Sequence, residues 1–389
     1  MKTYALYVHI PFCSSRCSYC DFVTYTGQNA RIPDYVQALV REISSLSRSL
    51  GSRLPISSVF FGGGTPSLLQ PGQIREILTA VDQDLGELTG AEITLEANPE
   101  SLKLTFLEGI RRAGVNRLSL GMQSAQPQLL KILDRNHSPE DVLSGVNRAR
   151  RAGFANLSLD LIYGLPEQDL ASWRATINQA ISLQPNHLSL YSLTVERGTR
   201  ISEHINQGLL SEPDVDQGAE MLELAERALA EAGFLQYEIA NWAQPGFQSR
   251  HNLAYWRMMP YLGIGVAAHG FAAGVRTENV SDLNAYLDSL ARGEAADAVF
   301  PRTPATARYR EVDLDTEMDE VMIMGLRLTE EGVSRKSFHR RFNRDLETIY
   351  REPIRELLDT GLLEWAGERL RLTAKGRMLG NRVFSYFLR

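Results

Sequence analysis

Short apolar runs of strand length alternate with amphipathic segments of helix length in the first part of the chain. The helices are predicted near residues 33–50, 71–85, 101–113, 138–152, 169–183 and 213–232. The strands are predicted at residues 4–10, 57–61, 92–96, 117–123, 156–163 and 187–193. Strands that alternate with helices through short links predict an α/β fold, in which β/α units surround a parallel sheet.

Apolar and polar residues also alternate within the predicted strands. In the strand at 117–123, Leu118 and Leu120 alternate with Ser119 and Gly121. This period of two places the leucines on the face towards the helices and the small, polar residues on the inner face. A closed eight-stranded barrel is filled with bulky residues. We therefore expect an open barrel that holds a ligand. A flat sheet with one solvated face is the alternative, although the crossover helices argue against it.

The pattern changes at Phe300 and Pro301. Beyond it we expect helices at 317–328, 335–342 and 345–360, a hairpin at 362–373 and a last helix. This order is typical of a small winged-helix-like module. The predicted division is a barrel at 1–235, an extension of the barrel at 236–300 and the C-terminal module at 301–389. The module has a basic helix face consisting of Arg335, Lys336, Arg340, Arg341 and Arg344, but its acidic and basic residues nearly balance.

Composition narrows the class of protein. The chain has 389 residues, of which 43% are hydrophobic and 23% charged, as in an ordinary soluble protein. The net charge of −6 argues against nucleic-acid binding, which selects a broad basic surface. No apolar run approaches the roughly 20 residues of a membrane span, and we expect no signal peptide. We expect a cytoplasmic location, with peripheral membrane contact left open.

The three cysteines of the chain, Cys13, Cys17 and Cys20, share one loop with the spacing C-x3-C-x2-C. Three thiolates can hold three irons of a [4Fe-4S] cluster that usually takes four cysteines. The fourth iron is then free for a small ligand, as in radical enzymes that bind S-adenosylmethionine (SAM). The alternatives are a zinc site with His9 as fourth ligand, a disulfide framework, or three unrelated buried cysteines.

Polar residues collect where the predicted strands end, which is where β/α barrels build their sites. A Gly-Gly-Gly-Thr-Pro run at 62–66 follows the second strand, and glycines let the backbone approach a ligand closely. A turn is the alternative explanation of this run. Carboxylates can bind hydroxyl or ammonium groups, and a guanidinium can bind a carboxylate. The residues expected to contact a ligand at the later strand ends are Glu96, Gln123, Asp160 and, in the segment after the fourth strand, Arg135.

A second group of interest is His251 with Tyr255 and Trp256, followed by a run at 263–270 rich in glycine and alanine. The histidine can be a hydrogen-bonded member of an aromatic cluster or an axial ligand of haem iron. The residue chemistry alone favours the aromatic cluster. The glycine run indicates backbone that lies close to something else.

Residues 7–22 with their three cysteines, the glycine run at 62–66 and the Asp-Leu-Ile-Tyr-Gly-Leu-Pro segment at 160–166 together resemble the HemN/HemW group of radical SAM proteins. The resemblance extends through nearly the whole chain. It implies a partial (β/α)6 radical SAM barrel that holds the cluster and SAM, with Phe22 also near a SAM site. The residues that match SAM contacts are Tyr7, Gly63, Gly64, Thr65, Glu96, Gln123, Arg135 and Asp160.

Two departures distinguish the branches of this group. The dehydrogenase branch has a fourth cysteine two residues after the third and an extension before the first strand. Here Phe22 takes that position and the first strand starts near Tyr4. Both features, and the His-Asn-x2-Tyr-Trp motif at 251–256, resemble the HemW or haem chaperone branch, in which the motif is associated with haem binding.

The resemblance therefore implies a protein that binds haem, with His251 as a haem ligand, and delivers it to a haem-accepting protein. It also implies an electron donor for the cluster. The alternative is oxygen-independent coproporphyrinogen III dehydrogenase, which removes hydrogen and carbon dioxide from propionate side chains. No catalytic residue is assigned, and whether the protein is an enzyme stays open.

Overall fold

A computed structural model of the chain describes residues 3–291 and 299–389. Its first half alternates strands and helices in the predicted order. The strands are β1 (Tyr4–Ile10), β2 (Phe12–Cys13), β3 (Tyr25–Thr26), β4 (Ile56–Gly63), β5 (Glu92–Ala97), β6 (Arg117–Gln123), β7 (Asn156–Tyr163) and β8 (His187–Ser192). The helices are α1 (Ile32–Leu50), α2 (Pro71–Ala80), α3 (Leu104–Ala113), α4 (Pro127–Ile132), α5 (Pro139–Arg151), α6 (Leu170–Ser182), α7 (Arg200–Asn206) and α8 (Val215–Glu231).

The six long strands confirm the predicted α/β fold with a partial barrel. They pair in parallel in the order β1-β4-β5-β6-β7-β8, and each predicted end agrees with the structure to within two residues. Leu118 and Leu120 are fully buried in the core that the strands share with the outer helices. Since all six strands run the same way, their carboxyl ends meet along one rim, which gathers the candidate site there.

Helices α5 and α6 each begin at a residue whose side chain caps the helix. Ser138 starts α5 by accepting a hydrogen bond from the backbone N–H of Asp141, and Asp169 starts α6 in the same way through Ser172. Two short helices, α4 and α7, were not predicted, because six or seven residues are too few to establish a helical period. Of the helices that the structure describes, none has the length and apolar character needed to cross a membrane.

The sheet continues beyond both edges of the barrel. The added elements are β9 (Leu235–Glu238), β10 (Asn241–Ala243), α9 (Arg250–Trp256), β11 (Tyr261–Ile264), β12 (His269–Ala272), β13 (Val275–Asn279), α10 (Leu283–Ala291) and β14 (Thr306–Glu311). Strand β11 pairs in parallel with β1, and β10 pairs antiparallel with β8. In the described residues the sheet runs from β14 to β9 without closing, so the predicted open barrel is confirmed.

Helix α9 fills the amino-terminal half of the barrel interior. Glu92, at the start of β5, accepts hydrogen bonds of 3.2 Å from the backbone N–H groups of Arg250 and His251. At the start of β8, the Nε2 atom of His187 lies 2.8 Å from the Tyr237 hydroxyl, which in turn accepts a hydrogen bond from the backbone N–H of Ser249. The prediction of an unfilled interior therefore applies only to the carboxyl-terminal half.

The C-terminal part has its own hydrophobic core, which includes Phe338, Tyr350 and Phe387. Its elements are α11 (Leu314–Gly325), β15 (Val333–Ser334), α12 (Arg335–Phe342), α13 (Leu346–Ile349), α14 (Arg351–Asp359), β16 (Leu363–Ala366), β17 (Arg369–Leu372), α15 (Ala374–Met378) and α16 (Gly380–Ser385). Strands β16 and β17 form the predicted hairpin, and β15 pairs with β17 at its other edge. The three-part division of the chain stays a prediction. Because β14 pairs with β13, we propose that the module begins after Glu311.

The basic face of α12 makes ion pairs within the module. The Arg335 guanidinium lies 2.8 Å from the Glu347 carboxylate and 4.4 Å from the ring centroid of Trp365. The Nε atom of Arg341 donates a hydrogen bond of 2.9 Å to Glu317. Lys336 lies 3.6 Å from Glu368, so three of the five basic residues form ion pairs within the module.

Candidate cluster and cofactor site

A cavity of about 390 Å³ opens at the carboxyl ends of the barrel strands. We call it the rim cavity. It brings together all the predicted cluster and cofactor residues except Tyr7 and His251. Those that line it are Cys13, Cys17, Cys20, Phe22, Gly63, Gly64, Thr65, Glu96, Gln123, Arg135 and Asp160.

The cysteine loop packs directly on the glycine run. The Gly64 N–H donates a hydrogen bond of 2.8 Å to the Ile10 carbonyl, and the Thr65 hydroxyl donates to Sγ of Cys13 at 3.6 Å. A Cβ at Gly64 would lie 2.7 Å from the Phe12 carbonyl oxygen and 3.0 Å from Sγ of Cys13. Glycine at position 64 is therefore required for the backbone to approach the cysteine loop this closely.

Arg135 joins the cysteine loop to the strand ends. Its Nη1 atom donates a hydrogen bond of 3.3 Å to Sγ of Cys17. Its Nη2 atom donates to Oδ1 of Asn98 at 2.9 Å and to the Gly121 carbonyl at 3.0 Å. These three acceptors fix the guanidinium, so its positive charge lies beside one of the three thiols.

The donor set fits a cluster with three cysteine ligands. The three cysteines form no disulfide and face the same cavity. Within residues 3–291 and 299–389, no three His, Cys, Asp or Glu side chains converge on a single-ion site. A cluster needs no such convergence, since each cysteine binds a different iron. The zinc alternative needed His9, but its Nδ1 atom lies 3.0 Å from the Tyr7 hydroxyl and its Nε2 atom 3.0 Å from the Val23 carbonyl.

Two carboxyl groups face the rim cavity from neighbouring strand ends. Burial and the negative charge of Asp160 raise the pKa of Glu96 to about 8, although Oε2 accepts a hydrogen bond of 3.3 Å from the Gly63 N–H. Burial also raises the pKa of Asp160, and hydrogen bonds of 3.0 and 3.1 Å from the Ser119 hydroxyl oppose the shift. Two buried carboxyl groups near one another favour a ligand that brings positive charge or hydrogen-bond donors.

The remaining wall of the rim cavity includes strained and exposed residues. Gln123 has φ of 59° at an irregularity of β6, a conformation that is uncommon for residues other than glycine and that clusters at functional sites. Phe22 is 59% exposed. Sequence reasoning did not assign Asn98, Ser119 or Tyr191, which also line the cavity. Two signals were available: Asn98 comes just after β5, and the alternation in β6 places Ser119 on the inner face.

Tyr7 lies apart from the rim cavity. Its hydroxyl lies 3.0 Å from Nδ1 of His9, and burial raises its pKa well above the usual value. It lines a separate cavity of about 540 Å³, which we call the aromatic cavity. The aromatic and basic side chains that line it include Phe22, Tyr255, Trp256, Tyr261, His269 and Arg276.

His251 lies inside the barrel and does not line either cavity. Its Nδ1 atom is 2.9 Å from the Ser58 hydroxyl and its Nε2 atom 2.9 Å from the Tyr255 hydroxyl. Its ring stacks on Phe60 at a centroid distance of 5.1 Å. Burial and the charge of Arg117 lower its pKa to about 3, so the ring is neutral. This is the hydrogen-bonded aromatic cluster that the residue chemistry favoured.

The glycine run after the motif serves close packing of backbone on backbone. A Cβ at Gly263 would lie 2.0 Å from the carbonyl oxygen of His269 on the neighbouring strand β12. The sequence predicted that the backbone of this run lies close to another group. In the structure that group is the backbone of the neighbouring strand β12.

Comparisons with known proteins agree with this geometry. The model of the Radical SAM superfamily matches residues 7–180, and the model of the HemN C-terminal domain matches residues 312–379. The fold resembles that of HemN, described as a coproporphyrinogen III oxidase from Escherichia coli that is a radical SAM enzyme. The TM-score is 0.84 over 99% of this chain and 90% of that chain, at 24% identity. The fold and the cysteine loop thus define a protein of the radical SAM class.

Curated relatives narrow this class. A protein named heme chaperone HemW from Bacillus subtilis is 38% identical over 98% of both chains. One of the same name from Mycobacterium tuberculosis is 37% identical over 98% of this chain and 94% of that one. A bovine mitochondrial protein named radical S-adenosyl methionine domain-containing protein 1 is 37% identical over 96% of this chain and 84% of its own. The chain therefore belongs to the HemN/HemW family of radical SAM proteins, and membership of this family implies a [4Fe-4S] cluster and SAM.

Proposed function

We propose that this protein is a haem chaperone that binds haem and delivers it to haem-accepting proteins in the cytoplasm. The principal support is the end-to-end similarity to relatives named heme chaperone HemW. Phe22 is a second support, because it stands where the dehydrogenase branch has its fourth cysteine.

We infer that Cys13, Cys17 and Cys20 hold the [4Fe-4S] cluster and that the rim cavity holds SAM. When reduced by an electron donor, the cluster would supply the electron for cleavage of SAM. The protein's own share is binding and orientation. Arg135 places positive charge beside Cys17 and suits the carboxylate of an amino acid, while Glu96 and Asp160 suit ammonium or ribose hydroxyl groups.

The other residues predicted to contact SAM lie around the same cavity or next to it. Gly63, Gly64 and Thr65 present backbone and hydroxyl groups beside the cysteine loop, and Gln123 holds its side chain at the end of β6. Phe22 lines both cavities, so it can contact a ligand in either one. Tyr7 would reach SAM only if the ligand extended beyond the rim cavity.

The experiment that tests this function is haem transfer under anaerobic conditions. The full-length protein is reconstituted with iron and sulfide, loaded with haem and mixed with an apo-haemoprotein that gains a distinct absorption spectrum on receiving haem. We expect transfer from the loaded protein. The proposal is overturned if the reconstituted protein does not bind haem, or if it retains haem in the presence of an excess of the acceptor.

Cys17→Ala is the matched variant for the cluster assignment. It should lose the iron–sulfur chromophore, while Ser15→Ala, a change of an exposed residue on the same loop, should keep it. The unchanged protein should contain four iron and four sulfide per chain. The same content in Cys17→Ala would exclude a cluster held by the three cysteines.

A further inference from the structure

The aromatic cavity lies beside the cluster loop and on the far side of its exposed phenylalanine. Asp21 and Phe22 line both this cavity and the rim cavity. The end of α9 contributes Tyr255 and Trp256, and the C-terminal module contributes Met324. Its volume of about 540 Å³ lies within the range of sites that enclose organic ligands.

The walls of the aromatic cavity suit a flat aromatic ligand. The Tyr255 and Tyr261 rings meet edge to face at a centroid distance of 4.7 Å. The Arg327 guanidinium lies 4.2 Å from the centroid of Trp256 and orients the indole. Rigid aromatic side chains bind a planar ligand by stacking or by edge contacts at little cost in conformational entropy.

The cavity also contains one cation for an acidic substituent. Arg276 lines it, and its guanidinium lies 2.7 Å from Glu320. A guanidinium in this position can bind a ligand carboxylate in addition to, or in place of, its present partner. Haem combines a flat macrocycle with two propionate carboxylates, so both features of the cavity match it.

Of the histidines near this cavity, His251 and His9 already use both ring nitrogens. His251 lies between the hydroxyls of Ser58 and Tyr255, and His9 lies between Tyr7 and Val23. His251 makes no contact with the cavity itself, but its Nε2 atom holds the Tyr255 hydroxyl that forms part of the wall.

His269 differs from His251 and His9 in its position, its exposure and its hydrogen bonding. It lines the aromatic cavity from strand β12, and its side chain is exposed. Among the residues that the structure describes, its ring makes no hydrogen bond. It therefore offers a ring nitrogen to haem iron without the loss of an existing contact.

We propose that the aromatic cavity is the haem site and that His269 supplies the axial imidazole, while His251 positions Tyr255. This inference rests on the proposed function, since it assumes that the protein binds haem. It replaces the expectation, taken from the family resemblance, that His251 is the ligand. It also assigns the haem to a place separated from the rim cavity by Asp21 and Phe22, which line both cavities.

The test compares haem with metal-free protoporphyrin IX on the reconstituted, full-length protein. His269→Ala should lose the absorption spectrum of imidazole-ligated haem and bind haem at least about tenfold more weakly, because even outer partners of a metal ligand contribute about tenfold to a hundredfold in affinity. Its affinity for metal-free protoporphyrin should be unchanged. Added imidazole should restore the spectrum.

His251→Ala and Tyr255→Phe are the comparison variants. Each should retain an imidazole-ligated spectrum. If His251→Ala proves too unstable to purify, Tyr255→Phe takes its place, because it removes only a hydroxyl group. The inference is overturned if His269→Ala binds haem with wild-type spectrum and affinity. Failure of the wild-type protein to bind haem would overturn the proposed function itself, a result distinct from a wild type that binds haem without needing His269.

Discussion

Nη1 of Arg135 donates a hydrogen bond of 3.3 Å to Sγ of Cys17, which lies 118 residues earlier in the chain. This contact ties the cluster loop to the rim of the barrel. The same guanidinium is held by Asn98 and by the Gly121 carbonyl. A change in Arg135 should therefore affect the cluster and SAM binding together.

Arg135→Gln should release its iron faster to a chelator and bind SAM about tenfold to a hundredfold more weakly, because one charge-assisted hydrogen bond is worth about 1.5–3 kcal/mol. The two measurements are the rate of chromophore loss and equilibrium SAM binding. Arg200→Gln is the control, since Arg200 pairs with Asp134 on the surface. Equal behaviour of the two variants would contradict the role given to Arg135.

Gly64→Ala should prevent cluster assembly although all three cysteines remain. The added Cβ would lie 2.7 Å from the Phe12 carbonyl and 3.0 Å from Sγ of Cys13, so the loop must move. The iron content after anaerobic reconstitution measures the effect. Gly72→Ala is the control, because a Cβ there meets nothing within 4 Å. A wild-type iron content in Gly64→Ala would show that the contact is not needed.

SAM affinity should depend on pH through Glu96. Its pKa is about 8, and the ionised carboxylate accepts hydrogen bonds from an ammonium or hydroxyl group more strongly than the neutral carboxyl group does. Affinity should therefore rise with pH, by at most about tenfold per unit, and level off above about pH 8. Glu96→Gln should remove the pH dependence of SAM affinity that arises from Glu96. Asp160→Ala should weaken SAM binding and leave the cluster in place. An identical pH profile in Glu96→Gln would contradict this account.

The raised pKa of Glu96 also gives the sign of its effect on stability. The unfolded carboxyl ionises near its ordinary pKa of about 4.3, whereas the folded one stays protonated up to about pH 8. The folded state thus binds more protons between these values, and the free energy of unfolding falls as pH rises through that window. Relative to wild type, Glu96→Gln should gain stability over the same window, which urea denaturation of the apoprotein can measure.

His251→Ala should destabilise the protein whatever its effect on haem. The ring is 1% exposed, and its loss would leave the Ser58 and Tyr255 hydroxyls without partners. We expect a loss of about 2–4 kcal/mol in the free energy of unfolding, seen as a lower urea midpoint of the apoprotein. His339→Ala, at an exposed position, should change it little. Equal midpoints would show that His251 is not a structural residue.

Much of the barrel could be predicted because its strands follow a simple rule. Apolar runs of strand length located all six long strands, and in β6 Leu118 and Leu120 alternate with the small residues Ser119 and Gly121. The cysteine spacing and the polar strand ends likewise predicted residues that meet at the rim cavity, among them Cys17, Glu96 and Asp160. Helices α4 and α7 were missed because they are short and have too few turns to show a period.

The rest depended on long-range contacts that spacing does not reveal. The sequence does not indicate that β11 would pair with β1, or that α9 would fill the amino-terminal half of the barrel interior. For this reason, the family resemblance suggested His251 as a haem ligand, whereas its contact with Ser58, 193 residues away, places it in the interior, as the residue chemistry alone favoured. The exposure of His269 was hidden in the same way.

The measurement that tests the central claim most directly follows two reactions of one anaerobic, cluster-loaded preparation. One sample receives haem and the other receives coproporphyrinogen III with SAM and a reductant. The account predicts a haem complex with an imidazole-ligated spectrum and no formation of protoporphyrinogen IX. Conversion of coproporphyrinogen III with consumption of SAM, in a preparation that does not bind haem, would contradict it and identify the protein as a dehydrogenase.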